Sequence, residues 1–505
     1  MRPIFFVLVF LAVACDDAGT SSSNNVNNTN NVNNINNTNN ANNTNNVNNT
    51  NNNTLCDVET RELSGGYFVS PTGLETAAGT QTDPLNLAFA LSSGSPALPG
   101  DTIYLTEGTY TGRFISEIEG TDSSPIVVMP MPGHHVIIDG VGGDQEYIIL
   151  INGDYVHFVG LEVTDSDTLR ESAETGSSPS DITRGAGFGV FGTGTKVVNC
   201  VVHDTAQGIS FWTPAVDAQL HGNIIYNNGW NAPDRGHGHA IYTQNENGTK
   251  VLSQNVMFYG YSFGVHAYTE GGSIQGFHLL DNVWFLNGAS VPDDGGIKDN
   301  CLIGGLQPVD DTVVERNMGW ATSPTQRSVK FGYGESIDNA SVIFSGNYQV
   351  GNLDFTGNWE HVEITDNTIY GVVNGVDMAD YPENTVTTEL PTGYNLFIRP
   401  NYYNTNQSMV VIYNWSGVDQ IDVDLSQIIT GRHQYSVHSV FDRFGTPVTR
   451  GVFDSQTPGG TVITIPMGTV APPQPTGAEG NIVASEDPGT LFGVFIVTHN
   501  ECVDN

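Results

Sequence analysis

The stretch HGHAIYTQN, residues 237–245, gathers side chains that carry protons and donate hydrogen bonds. Two histidines and a tyrosine in so short a segment suit proton transfer, metal binding or the polar outer side of a β-strand. For an elimination reaction, we expect His239 or His237 to serve as the base and Tyr242 to protonate the leaving oxygen. His266, which follows in the stretch FGVHAY, would support Tyr242.

Basic residues are scarce in this chain, yet several fall near the same stretch. We expect Arg184 and Arg235 to neutralise a substrate carboxylate, because that charge opposes removal of the neighbouring proton. Aromatic, amide and lysine side chains of the same region suit contacts with a sugar polymer. The substrate-binding candidates are Trp212, Gln244, Asn245, Tyr268, Lys298 and Lys330.

Two kinds of metal site compete for the polar residues of this region. His237-x-His239 has the spacing of a zinc site on a strand, but the intervening glycine and Arg235 favour a flexible loop, and no third ligand is evident. Calcium prefers oxygen ligands and is the better match to an acidic exported chain. Its candidate ligands are Asp204, Asp234 and Glu246.

The elements that would position these residues repeat along the chain. Between roughly residues 140 and 375, short apolar runs are each followed by a turn that often contains asparagine. These asparagines recur at intervals of 20 to 35 residues, the repeat length of a solenoid. Short strands, turn asparagines and no long helix indicate a parallel β-helix. The repeated asparagines are Asn199, Asn223, Asn255, Asn282, Asn317, Asn347 and Asn367.

Side chains on the rungs of such a coil alternate between the packed interior and the solvent. Four neighbouring rungs can be aligned on the interior residues Val190, Ile209, Ile241 and Val265. The residues that follow these anchors form a first outward column of Phe191, Ser210, Tyr242 and His266, continued by Lys330 and Asp354. Two positions further on, a second column contains Thr193, Trp212, Gln244 and Tyr268. Because adjacent rungs lie about 4.8 Å apart, Tyr242 and His266 should be within hydrogen-bonding reach.

From residue 66 to about 375, including the opening PGDTIYL and GTYTG, the chain resembles the right-handed parallel β-helix, or pectin-lyase-like, superfamily. Beyond about residue 390, alternating stretches such as SMVVIYNW and LFGVFIVT predict an antiparallel β-sandwich and resemble the C-terminal module of many glycoside hydrolases. The expected fold class is all-β: a right-handed parallel β-helix followed by an antiparallel β-sandwich. A short amphipathic helix is expected over residues 84–91.

The N-terminus carries a short apolar stretch, IFFVLVFLAVA, that ends just before Cys15. It resembles a bacterial lipoprotein signal, so we expect an exported protein anchored to the bacterial cell envelope, with the lipid on Cys15 as its only membrane contact. Ordinary secretion with cleavage nearby is the alternative. The Asn-Asn-x repeat that follows has too little apolar surface to fold. The expected domains are 1–15 signal peptide, 16–56 Asn-rich disordered tether, 57–385 parallel β-helix and 386–505 β-sandwich.

Cysteine positions and net charge set further limits. Cys56 and Cys502 bracket the folded region and are a candidate disulfide in an exported chain. The formal net charge is −38, from 16 basic against 54 acidic residues. Such a charge argues against nucleic-acid binding, which needs basic surface. We expect a monomer whose partner is a polysaccharide.

The resemblance to the β-helix superfamily, which includes many lyases and several calcium-dependent ones, implies an activity. We expect a lyase that cleaves an acidic, uronic-acid-containing glycan by β-elimination. A non-catalytic glycan-binding or adhesin-like surface protein is the alternative, with the aromatic residues as stacking platforms. A glycoside hydrolase is the third hypothesis and needs a pair of carboxylates. Its candidates are Asp204, Asp234, Glu246 and Glu270.

Overall fold

The computed structural model describes most of the chain from Cys56 onward. The described residues are Cys56, Leu63, 65–291, 299–477 and 487–503. The predicted signal peptide with Cys15, the tether ahead of Cys56 and the binding candidate Lys298 lie outside the described residues. In the described part, no helix is long and apolar enough to cross a bilayer.

The described chain consists almost entirely of short strands. In chain order they are β1 Tyr67–Val69, β2 Thr102–Leu105, β3 Gly108–Thr111, β4 Phe114–Ser116, β5 Ile126–Pro130, β6 Val136–Asp139, β7 Tyr147–Ile151, β8 Val156–Val159, β9 Glu162–Thr164, β10 Ala186–Val190, β11 Lys196–Val198, β12 Val201–His203, β13 Ile209–Phe211, β14 Gln219–His221, β15 Ile224–Tyr226, β16 Trp230–Asn231, β17 Gly236–His237, β18 Ile241–Thr243, β19 Lys250–Ser253, β20 Val256–Phe258, β21 Val265–Ala267, β22 Ile274–Leu280, β23 Val283–Phe285, β24 Cys301–Ile303, β25 Val309–Glu315, β26 Met318–Trp320, β27 Arg327–Phe331, β28 Asp338–Ser345, β29 Tyr348–Val350, β30 Asn352–Phe355, β31 Asn358–Thr365, β32 Thr368–Tyr370, β33 Val373–Asn374, β34 Thr385–Thr387, β35 Asn395–Pro400, β36 Gln407–Tyr413, β37 Gln420–Asp424, β38 Arg432–Ser439, β39 Thr449–Asp454, β40 Val462–Pro466 and β41 Phe492–Glu501.

Strands β1 to β34, apart from the antiparallel hairpin β16–β17, form three long parallel sheets. The first sheet has the order β1-β2-β5-β8-β11-β14-β19-β22-β25-β28-β31, and the second has the order β33-β30-β27-β24-β21-β18-β13-β10-β7-β4. The third has the order β3-β6-β9-β12-β15-β20-β23-β26-β29-β32-β34. A chain that adds one strand to each sheet in every turn is a parallel β-helix, as the sequence predicts.

Apolar residues at matching positions of successive strands fill the interior of this coil. On the first sheet, Phe158 pairs with Val197, Val197 with Leu220 and Leu220 with Leu252, and all four side chains are fully buried or nearly so. This stacking follows from the alternation of side chains along a strand, because one face of each short strand always points inward.

Buried asparagines form a ladder along one corner of the coil. Asn255 is typical: its Oδ1 accepts from the backbone N–H and the Nδ2 of Asn223 at 3.1 and 2.9 Å, and its own Nδ2 donates to Leu220 and to Asn282. The ladder confirms the predicted turn asparagines except Asn199, which lies one residue before the ladder position. Its members are Asn223, Asn255, Asn282, Asn317, Asn347, Asn367 and Asn384.

A single helical turn closes the first end of the coil. The helix α1 spans Leu87–Leu91, within the predicted 84–91, and Asn86 caps it by accepting from the Phe89 N–H at 2.8 Å. Leu87, Ala90 and Leu91 are buried against the first rungs. The helix begins later than predicted because Leu85 bridges to Val69 as an extended residue.

The C-terminal strands form two antiparallel sheets, of order β35-β36-β41-β38-β39 and β37-β40. One side of the five-stranded sheet shares an apolar cluster with the two-stranded sheet, including Val410 and Val423. Its other side packs on the third parallel sheet, where Phe492 lies edge-on to both Phe285 and Tyr413. A disulfide joins Cys56 to Cys502, as predicted, whereas the remaining described cysteines, at positions 200 and 301, are buried free thiols.

Candidate functional site

The second parallel sheet places several of the predicted residues in one outward column. Ser210 pairs with Tyr242, Tyr242 with His266, His266 with Leu302, and Leu302 with Lys330. Tyr242 and His266 therefore lie on adjacent strands, as predicted, with their rings 5.3 Å apart. We call this set of residues, continued by Asp354 opposite Lys330, the outer column.

Two details of the predicted rung alignment are wrong. Ile209 pairs with Phe188 rather than Val190, so Gly189 occupies the column position that was assigned to Phe191. Phe188 and Val190 both point inward, and with a period of two either one satisfies the apolar pattern. The alignment also omitted β24, which inserts Leu302 between His266 and Lys330.

His239 and His266 are hydrogen-bonded to each other, and the contacts of His239 show which of the two donates the proton. The Phe263 N–H donates to His239 Nδ1 at 3.3 Å, and His239 Nε2 lies 3.1 Å from His266 Nδ1. A nitrogen that accepts from a backbone N–H carries no proton, so neutral His239 must hold its proton on Nε2 and donate it to His266. Neutral His266 then carries its own proton on Nε2, the nitrogen that the pair leaves for a ligand.

Burial keeps both imidazoles neutral. It lowers the pKa of His239 well below its usual value, helped by the charges of His266, Arg235 and His237, and it lowers the pKa of His266 to about 3, helped by Arg235. Both nitrogens of His239 are engaged and only 9% of the residue is exposed, which contradicts its predicted role as a base that reaches substrate. His239 instead orients His266.

Tyr242 is half-buried at the centre of the column. Its ring packs edge-on against Trp212 at 5.5 Å and stacks on His239 at 5.6 Å. Burial raises the pKa of its phenol, and the charge of Glu270 adds to the rise, although a hydrogen bond with Gln244 opposes it. The hydroxyl therefore remains protonated at neutral pH and is a proton donor.

Aromatic rings continue on both sides of Tyr242. The Trp212 indole N–H donates to the Tyr147 hydroxyl at 3.0 Å, which fixes the orientation of the indole. On the other side, Tyr268 stacks on His266 at 5.0 Å and meets the exposed Tyr333 edge-on at 5.4 Å. We call this continuous surface the aromatic face. It comprises Trp212, Tyr242, His266, Tyr268 and Tyr333.

A buried lysine supports the aromatic face from below. Lys250 is fully buried, and its Nζ donates to the carbonyls of Phe211 at 3.0 Å, Gln244 at 2.8 Å and Trp212. The ammonium also lies 4.1 Å from the centroid of the Phe211 ring. Lys250 thereby links the backbone of two neighbouring rungs. Phe211 and Trp212 lie on one rung, and Gln244, two residues after Tyr242, lies on the next.

Arg235 is the predicted cation whose side chain remains partly exposed. Its side chain is 42% exposed, its NH2 donates to the Ser177 hydroxyl at 3.1 Å, and its Nε lies 3.8 Å from Asp234. Its positive charge contributes to the lowered pKa of both His239 and His266. The hairpin β16–β17 carries this residue.

Burial of three other predicted residues contradicts direct contact with a substrate. The Arg184 guanidinium is buried and donates to the backbone carbonyls of Asp165, Asp167 and Asp204. It therefore stabilises the long connection between β9 and β10. His237 is 2% exposed and stacks on Trp230. Asn245 is fully buried, and its Nδ2 donates to two backbone carbonyls where it bridges two rungs.

The three predicted calcium ligands are not arranged as one site. Asp204 is buried in ion pairs with Arg170 and His203, Asp234 lies on the exposed loop, and Glu246 is exposed elsewhere. In the part of the chain that the structure describes, no group of three or more His, Cys, Asp or Glu side chains is placed to hold a metal ion.

Three residues of the site escaped the sequence prediction. Tyr333 lies two residues after the end of β27, outside the alternation of apolar and polar residues from which strand positions are predicted. Phe263 matters through its backbone N–H, which sequence does not reveal. Lys250 directly precedes the apolar pair Val251-Leu252, but nothing in the sequence shows that its ammonium turns inward to backbone carbonyls.

Comparisons with known proteins add only fold similarity. No protein-family model matches the chain, and no curated protein matches it. Similar solved structures include a pectate lyase, 16% identical over 61% of this chain and 80% of that chain with a TM-score of 0.41. A rhamnogalacturonan lyase is 14% identical over 64% and 87%, with a TM-score of 0.44. A lacto-N-biosidase from Eubacterium ramulus is 13% identical over 64% and 68%, with a TM-score of 0.37. These values are too low to carry an argument about activity.

Proposed function

We propose that this protein binds an acidic polysaccharide along the aromatic face and cleaves it by β-elimination at Tyr242. One observation carries the proposal: a protonated phenol and a neutral imidazole donor lie side by side on a surface lined with aromatic rings, and the charge of a cation acts on that imidazole. These groups are Tyr242, His266 and Arg235. Few positive charges occur in this chain, and one of them acts on the histidine of the only described pair of a histidine and a tyrosine on the outer column.

Each group has a distinct part in an elimination. Arg235 and the His266 Nε2–H would bind the carboxylate of the sugar, and neutralising that charge acidifies the neighbouring C–H. Tyr242, held as the phenol, would give its proton to the leaving glycosidic oxygen while its own oxygen takes the proton of the acidified C–H. The C–O bond then breaks, a C=C bond forms in the sugar ring and the phenol is regenerated. Trp212 and Tyr268 would stack on the sugar rings on either side of the cleaved bond.

The activity is tested with purified protein and a panel of alginate, pectate, glycosaminoglycans and neutral glycans, with and without calcium. Ultraviolet absorbance reports the unsaturated uronic-acid ends that only elimination creates, and reducing ends are measured in parallel. Rising absorbance on an acidic polymer supports the proposal. New reducing ends without absorbance would identify a hydrolase instead.

Replacing Tyr242 with phenylalanine removes one oxygen atom and leaves the packing intact. We expect Tyr242→Phe to lower the rate of cleavage by at least about 100-fold, because the leaving oxygen loses its proton donor. Affinity for the glycan should change little. Tyr394→Phe, at an exposed tyrosine away from the aromatic face, is the matched control. A Tyr242→Phe variant that retains the wild-type rate would refute the role of Tyr242.

Glycan binding without cleavage is a second candidate function, favoured by one observation. The Nδ1 of neutral His266 accepts from His239 and its Nε2 carries a proton, and the pKa of Tyr242 is raised, so neither group is a strong base at neutral pH. If the panel gives no new ends while the protein is retained on an acidic glycan, binding alone is the function. Trp212→Ala should then weaken retention more than Tyr242→Phe does.

We propose further that the chain is exported and lipid-anchored through Cys15. The apolar stretch that ends before this cysteine supports the proposal. Metabolic labelling with a radioactive fatty acid tests it: the wild-type chain should be labelled and Cys15→Ser should not. Equal labelling of both chains would contradict the anchor.

A further inference from the structure

A second sugar-binding position follows from the geometry beyond His266. We propose that Tyr333 and Lys330 form a subsite for a uronic-acid unit. Asp354, on the next strand of the outer column, limits how far an acidic glycan can extend in that direction. The inference rests on the proposed function and extends it by naming where a neighbouring acidic sugar is held.

Tyr333 offers an accessible ring in line with the central site. The residue is 46% exposed, and its ring meets Tyr268, which in turn stacks on His266. No hydrogen bond to the Tyr333 hydroxyl is present among the described residues. The ring therefore has an open surface on which a sugar can stack, in continuity with the rings around Tyr242.

Lys330 supplies a positive charge beside that ring. Its Nζ lies 5.4 Å from the centroid of the Tyr333 ring, and within the described part of the chain its ammonium makes no hydrogen bond or ion pair. It stands two strands beyond His266 in the outer column, roughly 10 Å along the coil. A carboxylate on a sugar stacked over Tyr333 would be within reach of this ammonium.

A second pair of the same kind shows what a structural lysine–tyrosine contact looks like in this protein. Lys196 Nζ lies 5.0 Å from the Tyr403 ring, and Tyr403 is 44% exposed. There, however, the Tyr403 hydroxyl donates to Gln219, which docks the C-terminal part on the first parallel sheet. Lys330 and Tyr333 join no such separate parts of the chain, so docking does not explain them.

Asp354 follows Lys330 on the next strand of the outer column. Its Oδ1 accepts from Asn374 Nδ2 at 2.6 Å, which holds the carboxylate in place. A fixed negative charge repels the carboxylate of a further uronic-acid unit. The outer column thus changes from favouring to disfavouring an acidic sugar between two adjacent strands.

The test is the chain-length dependence of binding. Disaccharide, tetrasaccharide and octasaccharide fragments of polygalacturonate and of alginate are titrated calorimetrically into the full chain carrying Tyr242→Phe, in which we expect cleavage to be at least about 100-fold slower. We expect Tyr333→Ala to weaken octasaccharide binding about fivefold and Lys330→Gln about threefold. Disaccharide binding at the central site should be unchanged by either variant.

Two further variants complete the design. Asp354→Asn should strengthen octasaccharide binding, and Lys196→Gln, which alters the matched pair, should change nothing. Equal losses at all lengths, or no loss in Tyr333→Ala, would overturn the inference while the central site stands. If the parent protein binds none of the fragments, both the subsite and the proposed function are rejected. Melting temperatures of all variants confirm that they fold.

Discussion

Burial and neighbouring charge decide what each histidine of this protein can do. Burial lowers the pKa of His239 and of His266, the positive charge of Arg235 lowers both further, and the two imidazoles remain neutral. His203 is equally buried but lies between two carboxylates, with Nδ1 2.7 Å from Asp204 and Nε2 2.8 Å from Glu162. Burial lowers the pKa of His203, but the hydrogen bonds and charges of these carboxylates outweigh it and raise the pKa to about 9.

The raised pKa of His203 predicts how stability varies with pH. Its folded value lies above the unfolded value of about 6.5, so the proton stabilises the fold fully below about pH 6.5 and this stabilisation is lost as the pH rises through about 9. We expect the free energy of unfolding to fall by roughly 3 kcal/mol from about pH 6 to about pH 9. Urea unfolding at several pH values measures it.

The control for this effect is His203→Gln, which cannot bind the proton. Its lower stability should depend much less on pH over the same interval. If the wild-type protein and the variant show parallel pH profiles, His203 does not hold the extra proton in the folded state.

Residue types alone predicted part of the site. Tyr242 and His266 were placed correctly because both follow an apolar anchor on adjacent rungs, and alternation decides which way they point. Arg184 was misplaced because its guanidinium turns inward to three backbone carbonyls of a wide turn, a choice that depends on the path of the loop. No spacing in the sequence encodes that path.

At the scale of the elements, the asparagine ladder sets the length of each turn of the coil. Each side chain accepts from the backbone N–H of the rung before it, and its Nδ2 donates to a backbone carbonyl of that same rung and to the asparagine Oδ1 of the rung beyond. The polar groups of the corner therefore satisfy one another without water. The ladder also explains why the fold was predictable, since the same residue must recur at every corner. The register of β10 was harder to predict, because either Phe188 or Val190 in the stretch Gly-Phe-Gly-Val could be the inward residue that pairs with Ile209.

Removing one internal member of the ladder should destabilise the coil. Asn255→Ala leaves the buried groups of two neighbouring rungs without partners, and we expect the free energy of unfolding to fall by about 3 kcal/mol. The partly exposed Asn384, at the last position, is the matched control: its replacement should cost about 1 kcal/mol, because water can replace the lost contacts. Equal losses for the two variants in urea unfolding would contradict this view of the ladder.

At the scale of the whole molecule, a buried carboxylate joins the coil to the C-terminal sheets. Asp281 is 1% exposed and accepts from Arg316, from Arg399 Nε at 2.9 Å and from the Tyr402 hydroxyl at 2.8 Å. Arg399 lies at the end of β35 and Tyr402 just after it. A charge from the coil thus holds the first C-terminal strand in place, together with the apolar contacts around Tyr413.

Asp281→Asn removes this charge but keeps the shape of the side chain. We expect the free energy of unfolding to fall by about 3 kcal/mol, since two arginines lose their buried partner. Hydrogen exchange should become faster in β35 and β36 before it does in the coil. Asp422→Asn, on an exposed face of β37, should leave exchange unchanged. Uniformly faster exchange throughout the protein would argue against a local docking role.

The disulfide between Cys56 and Cys502 also determines how the protein carries mechanical load. Without it, a pull on the chain ahead of Cys56 would act on β1, a three-residue strand at the edge of the first sheet, and could peel the coil rung by rung. With it, the force passes directly to β41, the middle strand of the five-stranded sheet, and loads its ten residues along the strand axis. The first rungs of the coil are then no longer the point at which the force enters the fold.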